Sequence, residues 1–432
     1  MTQECEVENL ETAAGGYPIT PYVVGPSGQA GYQTIQSAVD AAISAGGGIV
    51  YIQPGTYNEN LNVPNGVHLV GAVFMPDYSV GTPVKITGGL TVDSSFLTES
   101  SYNNFYNINF SPTSGDVFTF NTNGGYQSVA SFFGCVLQVN EGGKAALVTD
   151  GFPTVYLTNC IVSSSVTSGD LFALRGAARF GYVFAENTTF EINASSYVVV
   201  PSTADVQYTI RNCVWNAMVD VSSGTNSYFL LDAEDTNFQW DGTGGLSPMI
   251  NFGGTEGAFV CQNGRVINGV GPLTSSTSTD DNSFFDIYST VFMGPYIAAS
   301  NCKEKIYTSV FNGGDSPGVI MNSSQSVTLS GCSINSVNDP AISGVGSGTL
   351  YLSDVCFLQN TSIANGVNAS YLPTKTGALT FGGPQLLSGA GAPTVSAPKG
   401  SLYSNTTANS PSTRLYVNID GSNGWASFTA AG

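Results

Sequence analysis

An all-β fold is predicted by this sequence: a right-handed, single-stranded parallel β-helix with an N-terminal capping α-helix and a small C-terminal β module. Three observations predict it. A short motif recurs roughly every 25 residues, one amphipathic helical segment stands near the start, and the composition suits tight turns around a large core. The chain has 432 residues, of which 42% are hydrophobic but only 9% charged. An average soluble protein is about 25% charged. With 52 glycines, and 24 Phe and 21 Tyr to bury, this profile excludes a disordered chain and favours many short strands joined by polar turns.

The recurring motif is read from the cysteines. FFGCVLQ surrounds Cys135, LTNCIV Cys160, IRNCVW Cys213 and LSGCSI Cys332. ENTTFEI at Thr188, EDTNFQW at Thr236 and YNINF at Ile108 keep the pattern without Cys. From Ile108 the successive intervals to Cys135, Cys160, Thr188, Cys213, Thr236 and Cys261 are 27, 25, 28, 25, 23 and 25 residues. Cys302 to Cys332 is 30 and Cys332 to Cys356 is 24. A period in this range marks a solenoid. Alternating strands and Asn/Gly turns make it a β solenoid of about a dozen coils, its equivalent positions stacked about 4.8 Å apart.

The small residues of the motif are expected to form an inward ladder, so the cysteines are read as packing residues and not as disulfides. No Cys-x-x-Cys pair exists and His68 is the sole histidine, so no metal site is expected. Cys5 stands outside the ladder. The 41-residue interval from Cys261 to Cys302 is too long for one coil and short for two, and its polar stretch 271–282 is read as a loop projecting from the solenoid.

The cap comes first in the chain. Ile35, Ala38, Val39, Ala42 and Ile43 share one helix face. Thr34 is placed to cap the N-terminus and Gly46-Gly47-Gly48 to end the helix, giving a segment of about 34–45. Strand IVYIQ, Pro54-Gly55, LNV, Pro64-Asn65-Gly66 and VHLVG follow. This run over residues 32–71 resembles the opening of pectin-lyase-like β-helix proteins, including pectin methylesterases. The resemblance implies that the helix covers the open end of the first coil.

Domain boundaries follow. Glu-rich residues 1–22 form a tail, 23–371 the β-helix, 372–396 a Gly/Pro/Ser-rich linker and 397–432 the C-terminal module. In that module Ser401–Ser404, Arg414–Ile419 and Trp425–Phe428 read as strands, with a turn at Asp420-Gly421. Its GSLY, RLYVN and GW elements resemble a module of bacteriophage tail-fibre and other phage structural proteins.

Charge narrows the partners. A formal net charge of −19 repels nucleic acid and anionic membrane surfaces. No stretch approaches the length of a transmembrane helix, and the first 25 residues lack a basic region before an apolar run, so neither membrane insertion nor a secretory leader is expected.

Catalytic chemistry is tested against the first resemblance. Pectin methylesterases carry a Gln-Asp-Thr-Leu element after a mid-helix Cys strand. Here Gln138 matches the Gln, but Val139-Asn140-Glu141 follows it. The family's nucleophilic Asp would fall at Phe184, within Gly181–Glu186. Without two acidic groups that reaction has no acid, base or nucleophile, so pectin methylesterase activity is rejected. Among other carboxylates, Asp232 and Glu234 fall two apart on one strand face and are the candidate catalytic pair. Asp235 faces the other way, and Asp280, Asp281 and Asp286 lie in or near the expected loop. Tyr102, Phe105 and Tyr288 are candidate glycan-contacting aromatics in Asn- and Asp-rich surroundings. His68, between Val67 and Leu69, reads as structural.

The expected role, carried by the C-terminal resemblance, is a virion structural protein of tailspike or tail-fibre type that attaches to a host-surface glycan. It is expected to form a homotrimer, to meet other virion proteins through its N-terminal tail, and to need no cofactor. It would be assembled in the host cytoplasm. A β-helix polysaccharide depolymerase and a capsid-decoration or filament protein are the alternatives; the reading leans away from an enzyme.

Overall fold

The computed structural model describes residues 22–25, 30–72, 84–94, 101–122, 127–149, 152–165, 170–174, 180–192, 199–201, 205–216, 219–220, 228–240, 250–251, 256–268, 274–275, 284–294, 296–298, 303–314, 317–321, 326–337, 340–344, 347–357, 369–371, 386–397, 399–410 and 413–428. Of the expected tail, 1–22, only Tyr22 lies within them, and it begins the strand Tyr22–Val24; Cys5 and Cys302 lie outside. Contacts divide the chain into two compact units: Met1–Tyr351 with Val355–Ala369, and Leu352–Asp354 with Ser370–Gly432.

The first unit is an all-β, right-handed parallel solenoid. Among the described residues its strands form a long sheet of 15, a second sheet of 13, and a third face of two six-stranded sheets. Neighbours in each sheet are one coil apart in sequence and pair in parallel, as Phe132 with Phe105 and then Leu157.

One local rule makes the corner between the long and second sheets. At eleven successive coils the chain turns through a left-handed residue: Asn107, Gly134, Asn159, Asn187, Asn212, Asp235, Asn263, Ser289, Thr308, Gly331 and Asp354, with φ between 48° and 63°. Gly carries no penalty there, and Asn and Asp tolerate the conformation best among other residues. Each turn amide continues the strand ladder, as Asn159 N–H donates to the Glu186 carbonyl at 3.0 Å.

The residue after the turn points inward and donates back. Cys160 Sγ reaches the carbonyls of Thr158 and Phe132, both at 3.3 Å. Thr188 Oγ1 donates to Glu186 at 3.0 Å and to Leu157 at 3.2 Å, the same two places one coil later. Ser309 Oγ donates to the Tyr307 carbonyl at 2.9 Å. The slot therefore selects a small side chain with one donor, which explains why Cys, Thr and Ser alternate there. Cys135, Cys160, Cys213, Cys261 and Cys332 are buried and free. Burial pushes Cys160, Cys213 and Cys261 up to about 11, so these thiols stay un-ionised near neutral pH.

Two expectations are corrected by this rule. Cys261 is not in the post-turn slot: it pairs with Ala233 and Ile287 on the long sheet, three residues before Gly264, which is. A Cβ on Gly264 would stand 2.6 Å from Cys261 Sγ, so the thiol fills the space that the glycine leaves. Cys356 pairs with Ser333 and sits one position past the slot, which Val355 takes. The interval after Cys261 also holds two coils, turning at Asn263, Ser289 and Thr308. Within the stretch read as a projecting loop, Thr274–Ser275 is a rung of the third face, paired with Ile250–Asn251; the rest of 271–282 lies outside the described residues.

The helix runs Ile35–Ser44, with Thr34 as N-cap accepting from Ser37 N–H at 3.3 Å. Ile35, Ala38, Val39 and Ala42 are buried, but Ile43, expected on the same face, is 39% exposed. A contact the helical period does not reveal completes the cap. The Glu59 carboxylate accepts from Ile35 N–H at 2.8 Å and from Gln36 N–H at 3.1 Å. It satisfies two amides that the helix itself cannot.

In the second unit, strands Leu386–Gly389, Leu402–Asn405, Leu415–Asn418 and Trp425–Ser427 form one sheet, antiparallel except for its first pair. The first of these strands falls in the segment read as linker.

Candidate functional site on the outward face of the long sheet

Along each strand of the long sheet, side chains alternate between core and exterior. The residue just before each left-handed turn points outward, and strand pairing lines these positions into a row: Tyr106, Phe133, Thr158, Glu186, Arg211, Glu234, and onward through Tyr288 and Tyr307. A second outward row, two residues earlier, holds Tyr156, Phe184, Thr209, Asp232, Val260 and Asp286.

These rows carry aromatic rings in register. Tyr106 stacks on Phe133 with centroids 4.8 Å apart, Tyr156 on Phe184 at 5.1 Å, and Tyr288 on Tyr307 at 5.0 Å. Tyr182 joins the middle stack, 6.0 Å from Phe184. None of these rings is fully buried, and Tyr156 is 40% exposed. Burial raises the Tyr288 hydroxyl above its ordinary value, and the neighbouring Asp286 and Tyr307 raise it further.

The proposed carboxylates do lie together on this face. Asp232 and Glu234 are both outward on strand Tyr228–Glu234. Arg211, directly opposite Glu234 in the preceding coil, binds both: Nη2 meets Asp232 Oδ2 at 3.1 Å and Nε meets Glu234 Oε2 at 3.0 Å. The three side chains are 38%, 27% and 40% exposed, so each contact is worth roughly 0.2–1 kcal/mol.

Of the proposed aromatics, Tyr102 is 54% exposed on the outward face, and Tyr288 is half-buried in its stack. Phe105 is a correction. It is wholly buried, packed 4.9 Å from Phe132 and 5.9 Å from Phe118, because the preceding Asn104 and following Tyr106 take the outward positions. Asp286 is also misplaced by the loop reading: it lies on strand Phe284–Tyr288, in the outward row of Asp232. Asp280 and Asp281 are outside the described residues. His68 faces outward beside the first coils, where its Nδ1 accepts from Asn104 N–H at 3.1 Å. Burial lowers its pKa, so the imidazole is held neutral.

Arg211, Tyr156, Phe184 and Tyr307 were missed. Their signal was present: position relative to the Asn, Asp or Gly turn marks which residues face outward.

No protein-family model matches the chain, and no curated protein is significantly similar to it. Solved structures are similar at low identity. Pectin methylesterase from Aspergillus niger is 14% identical over 64% of this chain and 86% of its own, with a TM-score of 0.35. Tailspike protein 3 of bacteriophage CBA120 is 11% identical over 100% of this chain and 77% of its own, with a TM-score of 0.40. PfbA, a surface adhesin of Streptococcus pneumoniae, is 12% identical over 92% and 94%, with a TM-score of 0.33. Likenesses at this level say nothing of activity; the solenoid stands on its own strand pairing. No helix among the described residues is long and apolar enough to cross a membrane.

Proposed function

We propose that the chain is a virion attachment protein of tailspike or tail-fibre type, whose solenoid holds a glycan-recognition face rigid. The observation that carries the reading is the outward stacking of Tyr156 on Phe184 and Tyr288 on Tyr307. Half-exposed rings held in register offer their outer edges, and the free face at the end of a stack, to the CH faces of sugar rings. The carboxylates and amides beside them accept and donate hydrogen bonds to hydroxyls. Because the rings sit on paired strands, little side-chain freedom is lost when a ligand docks.

The C-terminal likeness to phage structural proteins, read from the sequence, supports the setting. In this reading the Glu-rich residues 1–22 join other virion proteins, three copies assemble, and the low charge content suits solenoid flanks covered by neighbours. The protein is assembled in the host cytoplasm and acts on the released particle.

An array of purified bacterial capsule and O-antigen polysaccharides tests the reading. Wild-type protein binds at least one glycan, and Tyr288→Ala or Tyr307→Ala weakens binding about tenfold, or about 1.4 kcal/mol. No binding to the array counts against recognition. Antibody labelling of the particle tests the setting: label on the capsid shell, away from the tail, overturns it.

A further inference from the structure

The outward row through Asp232 carries a second acid. Val260 pairs with Asp232 on one side and Asp286 on the other. The two residues thus stand on one face two rungs apart, about 9.5 Å between backbone positions at the usual strand spacing. Between them lies a single apolar side chain.

Their surroundings differ in kind. Asp232 is ion-paired with Arg211 at 3.1 Å. Asp286 has one carboxyl oxygen, Oδ1, buried without a hydrogen-bond partner. Burial raises its pKa from the ordinary value, against the pull of Lys305 in the next coil. The Tyr288–Tyr307 stack lies alongside, Tyr288 being two residues from Asp286 on the same strand face. Acids whose environments diverge in this way can divide the work of donor and base. Asp232 and Glu234 cannot do so readily, because both are bound by the one guanidinium.

We infer that this face hydrolyses the glycan it binds, with Asp286 as proton donor and Asp232 as base of an inverting glycoside hydrolysis. The inference rests on the glycan-recognition reading. Inverting pairs stand roughly 6.5–9.5 Å apart, leaving room for a water molecule, whereas retaining pairs stand about 5–5.5 Å apart. A two-rung backbone separation of Asp232 and Asp286 lies at the upper end of the first range. In the step, Asp232 takes a proton from water as the water oxygen bonds to the anomeric carbon. The glycosidic C–O bond breaks, its electron pair passes to the leaving oxygen, and that oxygen takes the proton of Asp286. The products are a new reducing end of inverted configuration and a shortened chain bearing a hydroxyl. Exchange with solvent then returns the proton from Asp232 to Asp286.

The test uses the full chain and those array polysaccharides that it binds. Reducing-end release is measured for wild type, D286N and D232N, with the anomer of the fresh product followed by NMR. Wild type is expected to release ends of inverted configuration. D286N and D232N should each lose at least about 100-fold in rate, the usual share of an acid or base, while still binding. Retained binding shows that the variants are folded. A bound glycan that wild type leaves intact, or that D286N cleaves equally well, overturns the inference and leaves recognition standing. If nothing on the array binds, the recognition reading falls and hydrolysis falls with it.

Discussion

Gly264 and Cys261 show what the solenoid asks of single residues. At most coils the slot after the left-handed turn holds a donor, as Cys213 and Thr236 do, while Ile108 and Val355 fill it with apolar side chains. At Gly264 the side chain is missing and Cys261 Sγ moves into its place, 3.5 Å from Thr290 Oγ1. Gly264→Ala should therefore lower stability by about 1–3 kcal/mol through overpacking. Adding Cys261→Ala should return most of that loss, and urea unfolding of the single and double variants measures the coupling. His68 gives a pH prediction. Its folded pKa lies below the ordinary value of about 6.5, so the unfolded chain binds a proton more readily. The contribution to stability is then complete above about pH 6.5 and is lost as pH falls through that value toward the folded pKa. Asn supplies a neutral acceptor for Asn104 N–H, so His68→Asn should lose less stability than wild type between pH 7 and pH 5, measured as the shift in urea midpoint. An equal loss in both proteins would remove His68 from the explanation.

The cap helix and the repeated corner were legible for different reasons. Ile35, Ala38, Val39 and Ala42 carry a helical period, and Thr34 a local cap, so both could be read from adjacent residues. The corner could be read because Cys, Thr and Asn recur where the chain must turn, donate and stay small. Reading the Cys alone misplaced Cys261, since the glycine in the true slot has no side chain to match. Glu59 was hidden for another reason: it reaches the helix from 24 residues downstream, and no local pattern records such a contact. Its two bonds predict that Glu59→Ala costs about 0.5–2 kcal/mol, the range of lost N-caps. Hydrogen exchange should quicken at Ile35 and Gln36 ahead of the rest of the helix. Unchanged exchange there would mean that water replaces the carboxylate at no cost.

Over the whole solenoid, core and exterior obey different constraints, and this set the limit of what the sequence disclosed. Inward positions must fit the coil above and below, so their residue types repeat and the fold could be recognised. Outward positions answer only to solvent or a ligand. Tyr106, Arg211 and Glu234 occupy one row with no shared chemistry, and the site became visible only when strand pairing aligned them. The same pairing moved Phe105 into the core and brought Asp286 from an expected loop into line with Asp232. The consequence is a definite location for ligand: the outer surface of the long sheet, around Tyr288 and Tyr307. A structure of the full chain soaked with an oligosaccharide of the glycan it binds tests this most directly. A sugar ring lying on Tyr288 and Tyr307, with hydroxyls toward Asp286, is the predicted result. Sugar bound only to the C-terminal sheet, with the outward face of the long sheet bare, would contradict it.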